Sequence, residues 1–125
     1  MHVEDDPSIR MVTQVTLEKV GKLTVLSCDG GETALAKVRD FDPQIILLDV
    51  MMPRMDGPAT LVELARIIDL ETRLVLFMTA KVQEKEIEYY KSIGATGVIM
   101  KPFDPMTLPD QLQEYWTSFQ NSWSV

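Results

Sequence analysis

The feature that most limits how this chain can fold is a repeated alternation. Short apolar runs are followed by segments with helical spacing, from one end of the sequence to the other. Strands are expected at Lys22 to Ser27, Gln44 to Asp49, Arg73 to Met78 and Gly97 to Lys101, with Met1 to Val3 as a stub of a first strand. Between them, helical patterns cover Pro7 to Val20, Gly31 to Asp40, the stretch carrying Leu61, Leu64, Ala65 and Ile68, and Val82 to Ile93. Leu108, Leu112, Tyr115, Trp116 and Phe119 mark a last helix, with Thr107 and Asp110 in a capping-box pattern. Such alternation builds right-handed βαβ units around a parallel sheet. Ile45 to Leu48 and Leu74 to Phe77 are apolar at every position, so both faces of those strands need a helical cover. The fold class expected is α/β, a doubly wound five-stranded parallel sheet with helices on both faces. One domain over residues 1–125 is expected, with a core from 2 to 119 and a tail from 120 to 125.

Composition excludes several function classes. Twelve Lys+Arg against 19 Asp+Glu give a net charge of -7. That balance repels phosphate backbones and anionic lipid, so direct DNA binding and membrane-surface binding are not expected. The apolar runs are far short of the ~20 residues needed to cross a bilayer. Cys28 is the single cysteine, which rules out an internal disulfide and fits a cytoplasmic location; it is expected to be buried and inert. The acidic start, "MHVEDDP", has no apolar core of a secretory signal. His2 is expected to be an incidental terminal residue, and the eight methionines core filler.

In open α/β sheets, sites form beyond the carboxyl ends of the strands. Those ends carry Glu4-Asp5-Asp6, Asp49, Met78-Thr79-Ala80 and Lys101-Pro102. Carboxylates gathered at one edge repel one another, and a hard divalent cation relieves that repulsion. An oxygen-only donor set suits Mg²⁺ or Mn²⁺, and Mg²⁺ completes its shell with water and phosphate oxygens. Lys101 adds a point charge for phosphate, and the Thr79 hydroxyl a hydrogen bond. The constellation suits a carboxylate that carries a phosphoryl group.

Taken singly, these residues have plainer readings. A lone Asp at a strand end is usually a turn or cap residue, and Asp56-Gly57 ahead of Pro58 fits that role better than Asp49 does. Glu4 to Asp6 reads equally well as a solvated acidic start or a helix cap before Pro7, Thr79 as a strand end, and Lys101 as a surface lysine.

Jointly, "EDDP", "LLDVMMPRMDG", "MTA" and "KPF", in this order and each at a strand tip, resemble the receiver domain of two-component response regulators. The resemblance covers about His2 to Phe119. It implies the flavodoxin-like strand order 2-1-3-4-5. It implies Asp49 as the phosphoacceptor, Asp5 as direct metal ligand with Glu4 beside it, and Asp49 and the Met51 carbonyl as further ligands. Asp6 is the variable third position. Thr79, the Ala80 N–H and Lys101 would hold the phosphoryl oxygens, and the Lys101–Pro102 peptide would be cis. The implied donor is a histidine kinase or phosphotransfer protein. Such a chain catalyses its own phosphorylation and dephosphorylation without turnover of external substrates. Output would pass to a downstream protein, from a monomer or a phosphorylation-dependent dimer, since no effector sequence follows within these 125 residues. The reporting surface expected is Gln83, Glu86, Tyr89 and Tyr90, with Val98.

Two departures stand out. Val98 occupies a position where the family has Tyr or Phe, so the usual ring movement is missing. The first strand is short. Three other functions compete. A phosphorylation-independent docking module, or pseudo-receiver, typically lacks one of Asp5, Asp49, Thr79 and Lys101. An aspartyl-phosphate phosphatase would need an acid–base Asp where Met51 stands. A flavin carrier would need a phosphate loop where "EDDP" stands.

Overall fold

The computed structural model describes residues 1–122; positions 123–125 of the expected tail lie outside the described residues. Strands and helices alternate as β1 (His2–Val3), α1 (Pro7–Lys19), β2 (Ser27–Cys28), α2 (Gly31–Phe41), β3 (Ile45–Asp49), α3 (Gly57–Leu64), β4 (Leu74–Thr79), α4 (Glu84–Ser92), β5 (Gly97–Met100) and α5 (Leu108–Asn121). All pairings are parallel, in the order β2-β1-β3-β4-β5. The expected α/β class and strand order are what the chain adopts.

The apolar runs divide by parity. Ile46, Leu48, Val75 and Phe77 face one core, where α2 contributes Ala34 and Val38, α3 Leu61 and Leu64, and α4 Tyr90. Leu47, Leu74, Leu76 and Met78 face the other, with Leu17 of α1 and Leu108 and Leu112 of α5. Period-2 side-chain alternation on a strand covered on both faces requires apolar residues at both parities. That is why β3 and β4 read as unbroken hydrophobic runs.

Local chemistry sets the helix starts nearest the site. Asp6 is extended (φ -73°, ψ 116°) and accepts from the N–H groups of Ser8 and Ile9 at 2.8 and 3.0 Å, with Pro7 in the first turn. Asp56 accepts from the Ala59 N–H at 2.9 Å and starts α3 in the same way. The cap and turn readings of Asp6 and Asp56 therefore hold.

Four expectations need correction. Strand two is only Ser27–Cys28, because its ladder partner β1 offers only His2 and Val3. Lys22 also turns out of extended geometry, with φ 57°. Thr107 makes no side-chain cap bond; instead Asp104 accepts from the N–H groups of Met106, Thr107 and Leu108, so the turn before α5 is organised three residues earlier. His2 is not incidental. It sits in the second strand of the sheet order, 1 % exposed, with neither ring nitrogen hydrogen-bonded. Burial pushes its pKa down to about 3. Finally, α5 runs to Asn121, two residues into the expected tail.

Candidate functional site

Three strands deliver charge to one point. β1 ends into Glu4, whose backbone is fixed by its N–H bond to the Cys28 carbonyl at 3.0 Å. β3 ends in Asp49, paired in register with Met78 of β4. Lys101 follows β5, and its N–H bonds the Thr79 carbonyl at 2.9 Å. The Lys101–Pro102 peptide is cis, as the resemblance implied. The Lys101 ammonium donates to Glu4 Oε1 at 2.8 Å and pairs with Asp49 Oδ1 at 2.9 Å. The side chains of Glu4 and Asp49 are only 2 % and 5 % exposed, and that of Lys101 18 %. Two buried carboxylates thus share one ammonium.

Burial raises the Glu4 pKa above its ordinary value. The Lys101 hydrogen bond opposes this, and Asp49 adds to it. Burial works to lower the Lys101 pKa, but its bonds to Glu4 and Asp49 prevail and raise it. Glu4, Asp5 and Asp49 each bring a carboxylate oxygen within 4.8 Å of the others. This is an oxygen-only donor set carrying more negative than positive charge. It fits a hard divalent cation of the Mg²⁺ type, which one ammonium leaves room for. Asp5 is more open to solvent than Glu4 and Asp49, so the desolvated repulsion lies between those two.

Thr79, at the tip of β4, is buried but engaged elsewhere. Its hydroxyl donates to the Lys81 carbonyl at 3.0 Å and accepts from the Lys81 N–H at 3.3 Å. Ala80 is exposed and lines a groove with Lys101, Pro102 and Phe103. The Met51 side chain is 78 % exposed and takes no part in the carboxylate cluster. Of the expected reporting surface, Gln83 and Tyr89 are exposed and Glu86 is half-buried. Tyr90 points inward instead, 5 % exposed with its ring 4.6 Å from Phe77. Val98 is half-buried and lies opposite Phe77. Tyr90 is therefore not among the exposed members of that surface.

Two further groups position the site: Arg10, outside the motifs, and Gly57, which the sequence marks only as part of a turn. Arg10, on the first turns of α1, donates to the carbonyls of Glu4 at 2.8 Å and Asp5 at 3.3 Å and so braces the acidic loop. A cation six residues after an acidic strand end was the available signal. Gly57 bonds the Val50 carbonyl at 2.8 Å, and a Cβ there would collide with the Asp49 carbonyl and with Val50 Cα. The absent side chain lets α3 start directly behind Asp49.

Comparison with known proteins agrees with this geometry. The family model described as the response regulator receiver domain matches residues 1–113. The chain is 29 % identical to protein PilG of Pseudomonas aeruginosa, over 95 % of this chain and 87 % of that one. It is 32 % identical to the DNA-binding response regulator MtrA of Mycolicibacterium smegmatis, over 85 % of this chain but only 45 % of that protein. Several relatives are thus about twice as long as the segment they share with this chain. Among solved structures, the chemotaxis protein CheY4 of Vibrio cholerae superposes with a TM-score of 0.84 at 32 % identity, covering 91 % of this chain and 94 % of that one. A CheY-like receiver domain from Methanospirillum hungatei gives 0.80 at 26 % identity, covering 97 % and 95 %.

Proposed function

Given that this chain belongs to the response regulator receiver family of two-component systems, we propose that it accepts a phosphoryl group on Asp49 from a phosphohistidine of a histidine kinase or phosphotransfer protein. One observation carries this reading: a buried carboxylate at a strand tip, 2.9 Å from an ammonium and within 4.8 Å of two further carboxylates. An isolated cap residue has no use for that environment.

The chemistry follows from the groups present. An Asp49 oxygen forms the new bond to phosphorus as the phosphorus–nitrogen bond breaks. The electron pair leaves with the donor imidazole, and the product is a mixed anhydride. Lys101, already aimed at Asp49, is placed to take an equatorial phosphoryl oxygen. The Thr79 hydroxyl and the Ala80 N–H lie at the neighbouring strand tip and serve the remaining oxygens. A divalent cation, Mg²⁺ or Mn²⁺, would be held by Asp5, Asp49, Glu4 and the Met51 carbonyl; when bound it neutralises the excess carboxylate charge and organises phosphate oxygens. We read residues 1–125 as one receiver unit that signals by binding a downstream protein. No described helix is long and apolar enough to cross a membrane.

The test is intact-mass spectrometry after incubation with acetyl phosphate. One phosphoryl group should be gained with Mg²⁺, none after chelation, and none in Asp49→Asn. Equal labelling of Asp49→Asn would remove the assignment. Absence of labelling in the Mg²⁺-loaded wild type would favour a phosphorylation-independent docking module.

A further inference from the structure

The far end of the sheet has a shape that the chemistry at Asp49 does not use. A cavity of roughly 410 Å³ opens at the amino ends of β1 and β3. Lys22 to Val25 form one wall, and Gln44 and Ile45 the other. Both walls present backbone. The His2 N–H donates to the Leu26 carbonyl at 2.9 Å, and the Glu4 N–H to the Cys28 carbonyl at 3.0 Å. One step earlier in this parallel repeat come the Thr24 carbonyl and the Leu26 N–H. Neither has a hydrogen bond among the described residues. On the facing wall the Leu47 N–H donates to the Met1 carbonyl, and the Met1 amino group to the Ile45 carbonyl, both at 2.8 Å.

Floor and roof are apolar. Leu17 of α1 and Leu112 of α5 cover one face of the cavity, and Phe41 of α2 lies on the other. Unpaired backbone groups along the sides, with apolar side chains above and below, complement an extended strand. The register says how such a strand sits. His2 lies opposite Ser27 and Leu47. Two residues back, the last residue of an incoming parallel strand falls between Val25 and Ile45, with its side chain toward Leu17 and Leu112. The residue before it falls between Thr24 and Gln44 and turns toward Phe41. The strand has to end there, because the Met1 amino group closes the upper end of the cavity. Burial lowers the pKa of that group to about 5, so it lacks a counter-charge. Lys22 stands on the wall beside it. A terminal carboxylate would answer both charges and accept from the Leu26 N–H.

We propose that this cavity docks the carboxyl-terminal strand of a partner protein: three extended apolar residues that add in parallel between β2 and β3, with their free carboxylate on the Met1 amino group. Backbone bonding supplies register, and the alternate faces select apolar side chains. The site is separate from Asp49 and stands whether or not Asp49 is phosphorylated.

The probe is the peptide acetyl-Val-Leu-Val with a free carboxylate, titrated into the full chain and followed by amide spectra. Saturable shifts should centre on Thr24, Leu26 and Ile45, while Asp49 and Lys101 stay still. The carboxamide form of the peptide should bind about tenfold more weakly, through loss of a charge-assisted hydrogen bond. Leu23→Asp, at an exposed position on the wall, should weaken binding by about fivefold and leave the fold intact. A chain with Val-Leu-Val fused ahead of Met1 should fill the cavity itself, melt higher than the wild type and bind no peptide. Equal binding of acid and carboxamide would overturn the proposal. So would undiminished binding by the fused chain, or the lack of a saturable shift at Thr24 and Leu26. If the fused chain does not fold, the acid–carboxamide comparison and Leu23→Asp decide the matter.

Discussion

Replacing Lys101 with Met tests the charge arrangement at the site. The substitution leaves a side chain one atom shorter and removes the ammonium bonded to Glu4 and Asp49, at 2.8 and 2.9 Å. Two carboxylates whose oxygens lie within 4.8 Å are then left without their counter-charge. At an effective dielectric of about 20, unit charges at that separation repel by roughly 3–4 kcal/mol. Removing one partner of a buried pair costs about 3–5 kcal/mol. Lys101 is partly solvated, and Glu4, whose pKa is already raised, can take up a proton instead. These reduce the expected loss to about 2–3 kcal/mol in metal-free buffer near neutral pH. For a chain of this length that is a fall of roughly 10 °C in melting temperature. The loss should shrink with Mg²⁺. It should also shrink as pH is lowered toward 4.5, because a folded carboxyl with a raised pKa contributes most below its ordinary value. Adding Glu4→Gln should recover at least half of it. Scanning calorimetry of wild type, single and double variants, with and without Mg²⁺, checks all of this. A fall under about 2 °C, or no recovery in the double variant, would refute the shared-ammonium account.

Calorimetric titration should find Mg²⁺ or Mn²⁺ binding weakened in Asp5→Asn; unchanged affinity would mean that Asp5 is not a ligand. His2 is buried with its pKa near 3, against an ordinary 6.5. The unfolded chain therefore takes up a proton that the folded chain refuses, and stability falls as pH drops from 6.5 toward 3. His2→Leu should remove that part of the pH slope and add about 1 kcal/mol near neutral pH, since no hydrogen bond is lost; urea unfolding at a series of pH values reads both. Gly57→Ala should cost about 2 kcal/mol and slow labelling at Asp49, because the new methyl meets the backbone of Asp49 and Val50; denaturant midpoints and labelling rates measure the two effects.

The sheet and the charged tips were legible because their signals are local. Doubly apolar runs demand cover on both faces, and a strand tip is defined by where such a run stops. Glu4, Asp5, Asp49 and Lys101 converge as that logic requires. What escaped depends on neighbours. Lys22 to Leu26 has strand composition, but pairing needs an adjacent strand, and β1 offers two residues. His2 reads as an end residue until its register with Ser27 and Leu47 places it inside the sheet. Tyr89 and Tyr90 are adjacent, and helical periodicity across a mostly polar α4 does not say which one turns inward; the Phe77 face does. Thr79 was legible as a hydroxyl at the right tip, but its present bond to Lys81 belongs to loop geometry.

The central claim is that Asp49 carries the phosphoryl group. Reduction of an acyl phosphate by borohydride converts the modified aspartate to homoserine, so peptide sequencing by mass spectrometry can locate it. After treatment with acetyl phosphate and Mg²⁺, homoserine should be found at position 49 and at no other. Homoserine at Asp5, or stable phosphate on the Thr79 hydroxyl with Asp49 unchanged, would contradict the account.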